Sequence, residues 1–334
     1  MPEKQDSPLS RRALRRFEFW AVGGMVGFVA ILALISFWAG ASSVLEPIGR
    51  LSWRLVLLLL GLSLINYGLR AWRWQHFSAG LGLAVPWARN LLYFFAGFAM
   101  TTTPGKTGEA LRLWFLERCH GHAYERTAPL FIGDRMSDMA AITLYCLAGL
   151  GAFSGYEEAT LGAAFLLLLL TLPFLHPRLL ALARTLVARA MAARFPELHR
   201  KLDVAIGDTA RLFTARLFGV GLVLALAGWL AEIYELDLLL QAMGAPVSLQ
   251  QASFIFTFAM IAGTLAMLPG GLGGTEAMMI ALLSATHVDF GTAVAATAVI
   301  RMTTLWFATL LGFAALPFAM RAARRRQGLA EAAR

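Results

Sequence analysis

Two Pro-Gly turns interrupt apolar stretches too short to cross a bilayer: Thr103-Pro104-Gly105-Lys106-Thr107-Gly108-Glu109 and Leu268-Pro269-Gly270-Gly271-Leu272-Gly273-Gly274-Thr275-Glu276. Arg135 follows Pro104 by 31 residues and Arg301 follows Pro269 by 32, which reads as an internal repeat. Proline and glycine break a helix, and an unsatisfied backbone group in hydrocarbon costs several kcal/mol. Broken backbone at membrane depth therefore lines a wet cavity or lies buried in protein. The two turns predict a pair of re-entrant hairpins that meet at a transport site.

The surrounding chain has the composition such hairpins need. Its 334 residues are 58% hydrophobic and 15% charged, with mean hydropathy +0.65, which excludes an ordinary soluble domain. The stretches Trp20–Trp38, Leu51–Trp74, Leu130–Phe153, Leu161–Leu175, Leu217–Ala242 and Thr292–Phe318 reach or approach the length of a helix spanning about 30 Å. The first runs past signal-peptide length behind Arg11, Arg12, Arg15 and Arg16 and is expected to remain as a span. The expected fold is an all-α polytopic membrane protein with about six full spans and two re-entrant helical hairpins in an inverted-topology repeat. Residues 1–50 form a basic segment and first span, 51–153 the first repeat with an inner hairpin, and 154–216 a span and basic cytoplasmic linker. Residues 217–318 form the second repeat with an outer hairpin, and 319–334 a basic tail.

Charge orients these parts. Arginines near both ends, including Arg321, Arg324, Arg325 and Arg326, predict cytoplasmic termini in a multi-pass protein of the inner (plasma) membrane. The stretch 177–216 is rich in arginine and is expected on the same side, as two short interfacial helices divided by Pro196. Arg89 at one end of the first hairpin and Arg118, His120, His122 and Arg126 at the other make it open to the cytoplasm. Uncharged loops frame the second, which is expected to open outside; Arg50 and Arg54 fall against the rule. The net charge of +9 is read as affinity for anionic lipid, not nucleic acid. Cys119 in a loop and Cys146 in a span imply no disulfide.

The polar residues in this apolar setting are the candidates for binding. A charge near the bilayer centre costs roughly 2.5–3.5 kcal/mol, so Arg135, Asp138 and Arg301 should face one another or water. Lys106 and Arg112 follow the first turn, where exposed N–H groups attract an anion. Gly270 and Gly271 let backbone approach a ligand closely. Glu109 and Glu276 occupy like places after the two turns and are expected to pair with Arg135 and Arg301. Direct ligand contact and static ion pairing are both open for this set. Arg70, Glu232 and Glu235 belong to the spans leading into the hairpins; Glu232 is a candidate for proton coupling or for a salt bridge to Arg70. Arg73, between Trp72 and Trp74, reads as an interfacial anchor. Cys119-His120-Gly121-His122 offers too few ligands for a metal site, no catalytic motif is present, and no cofactor is implied.

The first turn with Arg112, Arg135 and Asp138, the cluster from Arg70 to Trp74 and the turn from Pro269 to Glu276 together resemble the lysylphosphatidylglycerol synthase transmembrane-region family, roughly over Leu51–Phe318. The resemblance implies a flippase-like membrane domain that moves lipid between leaflets, without the soluble aminoacyl-transferase domain of two-domain synthases. The expected function is therefore lipid transport and not enzymatic turnover: an anionic or zwitterionic lipid crosses between the hairpins, downhill or coupled to an ion. The alternative is a non-transporting subunit that presents lipid to a separately encoded enzyme. Expected partners are membrane lipids, a lipid-modifying enzyme and other copies of the chain.

Overall fold

The computed structural model describes residues 41–102, 107–153, 176–191, 195–266 and 269–332, with positions 23, 155, 158, 161, 162, 164–166 and 169 besides. Trp20–Trp38 falls almost wholly outside the described residues and Leu161–Leu175 for the most part, and Thr103, Lys106 and the side chain of Glu109 lie outside them too. Every regular element among the described residues is helical.

The helices fall into two length classes. α1 (Ala41–Gly49) precedes α2 (Trp53–Gly80), whose 28 residues begin where the Ser52 hydroxyl accepts the Leu55 N–H. Two short helices follow, α3 (Trp87–Gly97) with a 3-10 turn at Phe98–Met100 and α4 (Thr107–His120). α5 (Tyr124–Gly149) is long again. α6 (Pro177–Met191) and α7 (Pro196–Leu212) form the basic linker, with Pro196 at the first helical position, where its missing N–H costs nothing. The order then recurs: long α8 (Ala215–Ala242), short α9 (Leu249–Leu265) and α10 (Gly274–Ala285), and α11 (Phe290–Arg301) continued through a π segment into α12 (Phe307–Ala332). Among the described residues, three helices are long and apolar enough to cross a membrane: Trp53–Gly80, Ala215–Ala242 and Phe290–Arg324. The short helices α3, α4, α9 and α10 have 11, 14, 17 and 12 residues. At 1.5 Å per residue they reach roughly 16–26 Å, less than the hydrocarbon thickness.

α2 and α8 end in the same way. The Leu81 and Leu83 N–H groups bond the Phe77 and Ser78 carbonyls; Met243 and Ala245 bond Leu239 and Leu240 in the same pattern. Gly82 and Gly244 turn the chain at φ 71° and 76°, the left-handed conformation this helix stop requires.

Cross-contacts fix which end of the bundle each helix enters. Arg50 donates to the Met243 carbonyl at 3.3 Å, placing the start of α2 beside the end of α8, while Gly80 packs on Leu217 at the opposite end. Arg126 donates to the Leu81 carbonyl at 3.2 Å, so α5 starts at that second end, and Gly149 meets Gln250 and Phe254 at the first. Trp74 donates to Asn90 and Tyr93 stacks on Phe115, which seats α3 and α4 at the end of Gly80 and Arg126. α9 starts beside Gly149 and Gly291 of α11 packs on Ser43, so α9 and α10 enter from the other end. The two pairs meet in the middle, where Gly270 lies against Thr101 and Thr102. One apolar core surrounds each pair: Phe254, Met279, Leu283 and Ile300 belong to one, Phe77, Phe94, Phe115 and Leu130 to the other.

Several boundaries differ from those expected. α2 runs to Gly80 instead of Trp74, which brings Arg73 inside the protein, and α5 begins at Tyr124 instead of Leu130. Cys119 is a buried residue of α4, not of a loop. Residues assigned to a tail after 318 continue α12 as far as Ala332, as their alanine and arginine content favours.

Candidate functional site

A cavity of about 490 Å³ occupies the space between the two cores. Gly97, Phe98, Thr101 and Gly108 bound it from the first helical pair, and Gly263, Gly270, Gly271 and Thr275 from the second. Arg70 of α2, Arg135 and Asp138 of α5, Trp229 and Glu232 of α8 and Arg301 of α11 complete its polar wall. Its volume lies within the range of small-molecule sites.

Backbone contact at glycine shapes the first side. A Cβ on Gly97 would collide with the Arg112 side chain and the Gly108 carbonyl, so α3 and α4 cross with nothing but hydrogen between them. That approach lays Arg112 along the aromatic floor. Its Nε donates to the Phe94 carbonyl at 3.2 Å, and its guanidinium lies 3.8 Å from the Phe94 ring centre, with Phe98 and Trp74 beyond. Arg112 is 3% exposed, and its Nη1 has no partner among the described residues although the side chain lines the cavity. A cation on an aromatic face keeps its charge without a carboxylate and still has a donor to offer.

The second side is braced by an ion pair. Arg301 Nε donates to Glu276 Oε1 at 2.6 Å, the pairing expected from the sequence, and Nη2 donates to the Gly270 carbonyl at 2.8 Å. Glu276 Oε2 accepts the Gly273 N–H at 2.6 Å, capping α10. The Glu276 carboxylate is thus occupied on both oxygens, and the pair holds the turn in shape. Gly270, Gly271 and Gly273, at φ 62°, 69° and 87°, supply the conformations that the turn demands.

The densest charge cluster joins α2 to α5. Arg73 Nη2 lies 2.5 Å from Asp134 Oδ1 and 2.8 Å from Asp138 Oδ1, and Arg70 Nη2 lies 3.0 Å from Asp138 Oδ2. Trp229 adds a bond to Asp138 at 3.1 Å. Two sequence expectations are corrected here. Arg73 is fully buried and neutralised by aspartates, so it is no interfacial anchor, and Arg70 pairs with Asp138 in place of Glu232. Arg135 and Asp138 both line the cavity one helical turn apart, and the Arg135 guanidinium stands 6.0 Å from the Phe131 ring. The expected partner of Arg135, Glu109, lies outside the described side chains, as Lys106 lies outside the described residues. Glu232 reaches the cavity with no ion pair or hydrogen bond among the described residues. Glu235 sits behind it, fully buried beside Ser63.

One functional feature was not expected. Directly after Arg301 the helix widens into a π segment, Met302–Trp306, whose loosened carbonyls are met by α2: Tyr67 Oη donates to Thr304 O, and Ser63 Oγ lies 2.9 Å from Thr303 O. The adjacent Thr303 and Thr304, which bond back to Ile300, were the only hint, since such threonines also occur in straight helices.

The model of the family described as the lysylphosphatidylglycerol synthase TM region matches residues 24–312. The UPF0104 membrane protein of Pyrococcus horikoshii is 25% identical to this chain over 314 residues, which cover 86% of this chain and 93% of that protein. A UPF0104 membrane protein of Methanothermobacter thermautotrophicus is 24% identical over 328 residues, covering 90% of this chain and 92% of its own. A further match in that organism, 33% identical over 98 residues, covers 29% of each chain.

Proposed function

The chain belongs to the lysylphosphatidylglycerol synthase TM region family of membrane proteins, and on that premise we propose that it is a lipid transporter or flippase. It moves an anionic or zwitterionic lipid between leaflets, the head group passing through the central cavity while the acyl chains stay in the bilayer. The observation that carries this reading is the placement of Arg112, a buried guanidinium whose Nη1 has no partner among the described residues, in a cavity wall built from both helical pairs. A head-group phosphate supplies the acceptors that Nη1 lacks, and Arg135 across the same cavity adds a second donor.

In this reading the two short pairs are re-entrant hairpins in an inverted repeat. Their lengths, their entry from opposite ends and the matching stops of α2 and α8 support it. The end bearing Arg126 and the basic α7 faces the cytoplasm of the inner membrane, with both termini on that side. Transport without covalent change of the lipid makes the protein a carrier and not an enzyme.

Reconstitution into liposomes with head-group-labelled phospholipids tests the proposal. Purified protein is expected to exchange label between leaflets, and Arg112→Ala to slow it roughly 10- to 100-fold, the loss of one charge-assisted hydrogen bond. Wild-type protein that exchanges no lipid, or an Arg112→Ala variant as fast as wild type, contradicts it.

A further inference from the structure

Glu235 of α8 is fully buried and has no cation within ion-pair distance among the described residues. Its surroundings are oxygens. Ser63 Oγ of α2 lies 2.9 Å from Glu235 Oε2 and 2.9 Å from the Thr303 carbonyl of the π segment. A hydroxyl has one hydrogen, and a carbonyl has none. If Ser63 donates to Thr303 O, the contact with Glu235 requires a hydrogen on the carboxyl; if it donates to Glu235, Thr303 O loses it. Among the described residues Glu235 Oε1 has no hydrogen-bond partner. No cation balances this carboxyl among the described residues, and an isolated carboxylate at 0% exposure costs several kcal/mol.

Glu232 lies one turn earlier on the same helix and reaches the cavity, where it too lacks an ion pair among the described residues. The charges facing it are committed elsewhere: Arg70 to Asp138, Arg301 to Glu276, and Asp138 to Arg70 and Arg73. Tyr67 of α2, which also faces both carboxyls, donates to Thr304 O. Asp237, further along α8, accepts from Gln241, and Arg135 of α5 and Arg112 of α4 stand at the cavity wall. Among the described residues no cation lies within ion-pair distance of either carboxyl.

We propose that Glu232 and Glu235 form a proton-carrying pair that couples transport to a proton gradient: Glu232 takes a proton from cavity water and passes it to Glu235, held by Ser63 and the π segment. The proposal rests on the reading of the protein as a lipid transporter and adds its driving ion. The proton returns through Glu232 to whichever compartment the cavity then meets, so one proton accompanies each lipid.

Two measurements test it. In liposomes with the membrane potential clamped at zero, a pH gradient is imposed and the leaflet ratio of labelled phospholipid is read at equilibrium. Coupling to one proton shifts the ratio about tenfold per pH unit, and in Glu235→Gln the ratio under the gradient equals that without it. Lipid exchange that ignores the pH gradient in the wild type, or follows a sodium gradient instead, overturns the coupling and leaves the transporter reading intact. Infrared spectroscopy of the purified protein at neutral pH needs no transport. It is expected to show the carbonyl stretch of a protonated carboxyl that vanishes in Glu235→Gln. A wild-type spectrum without that band overturns the proposal even if lipid moves, and its presence supports the pair even if the chosen lipid does not.

Discussion

At the scale of single residues, buried charges among the described residues differ in how they are compensated, and some are locked to one another. Arg73 is one of these, shared between Asp134 and Asp138 with no surface of its own. Arg73→Ala strips Asp134 of its ion pair and Asp138 of one of two, and is expected to destabilise the protein by about 3–5 kcal/mol. Replacing Arg73 by Met together with Asp134 by Leu should cost much less, because no buried charge is stranded. Denaturant unfolding in detergent micelles compares the two, and equal losses would show that the pair is not what the residues supply. Sequence reasoning read Arg73 as a surface anchor because its neighbours are Trp72 and Trp74. Only Trp72 is exposed; the partner that settles the matter lies 61 residues away on α5. Glu276 and Arg301 were legible because they lie 25 residues apart after the second turn, close to the 26 that separate Glu109 from Arg135 after the first. The difference is physical: a repeat reveals a pair within a hairpin unit, while a lone arginine gives no sign of what a distant helix will bring to it.

At the scale of elements, glycine sets how closely the helices approach. Gly97 and Gly108 allow α3 and α4 to touch by backbone; a side chain at Gly97 must push Arg112 off the aromatic floor, and one at Gly108 must displace the Gly97 backbone. Gly97→Leu is expected to cost upwards of about 1–3 kcal/mol through overpacking and to reduce lipid exchange along with it. Gly270→Ala separates strain from crowding: the added carbon would find ordinary contacts at 3.6 Å, but φ is 62°. The expected loss is about 1–2 kcal/mol, from backbone conformation alone. Thermal melts of both variants check the contrast; equal shifts would deny that crowding at Gly97 costs more than backbone strain at Gly270. On the basic linker, Arg184 donates two bonds to Asp203 and thereby holds that carboxyl below its usual range. A lowered carboxyl stabilises above its ordinary range, and the contribution fades as pH falls through the lowered value. Because the pair is largely exposed, acidification should loosen α6 from α7 by less than about 1 kcal/mol. Protection factors of the α6 amides that stayed constant or rose on acidification would contradict this. The broken pairs and the proline at the head of α7 were readable from turn residues, whereas the π segment was not, since nothing in Met302–Trp306 forbids an ordinary helix.

At the scale of the whole molecule, the account depends on how two helical pairs are disposed about one cavity. Each pair is surrounded by its own apolar core, the two meet at Thr101 and Gly270, and the polar wall is drawn from both. Such an arrangement exposes a central site alternately to either side if one half rocks against the other. The order of elements was legible in the sequence because the hydrophobic segments alternate between long and interrupted ones. The meeting of the two broken pairs was expected as well, and Gly270 lies against Thr101 and Thr102; the α2–α5 charge cluster behind them was not, as it depends on how separate long helices pack. Substituted-cysteine labelling in proteoliposomes of one orientation tests the disposition most directly, in a background where Cys119 and Cys146 are replaced. Cysteines at Arg89 and Gly121, the two ends of the first pair, are expected to react with an impermeant maleimide from one face only, and those at Gln250 and His287 only from the other. Labelling of the two ends of either pair from opposite faces would mean that the pair crosses the membrane, and would contradict the central claim.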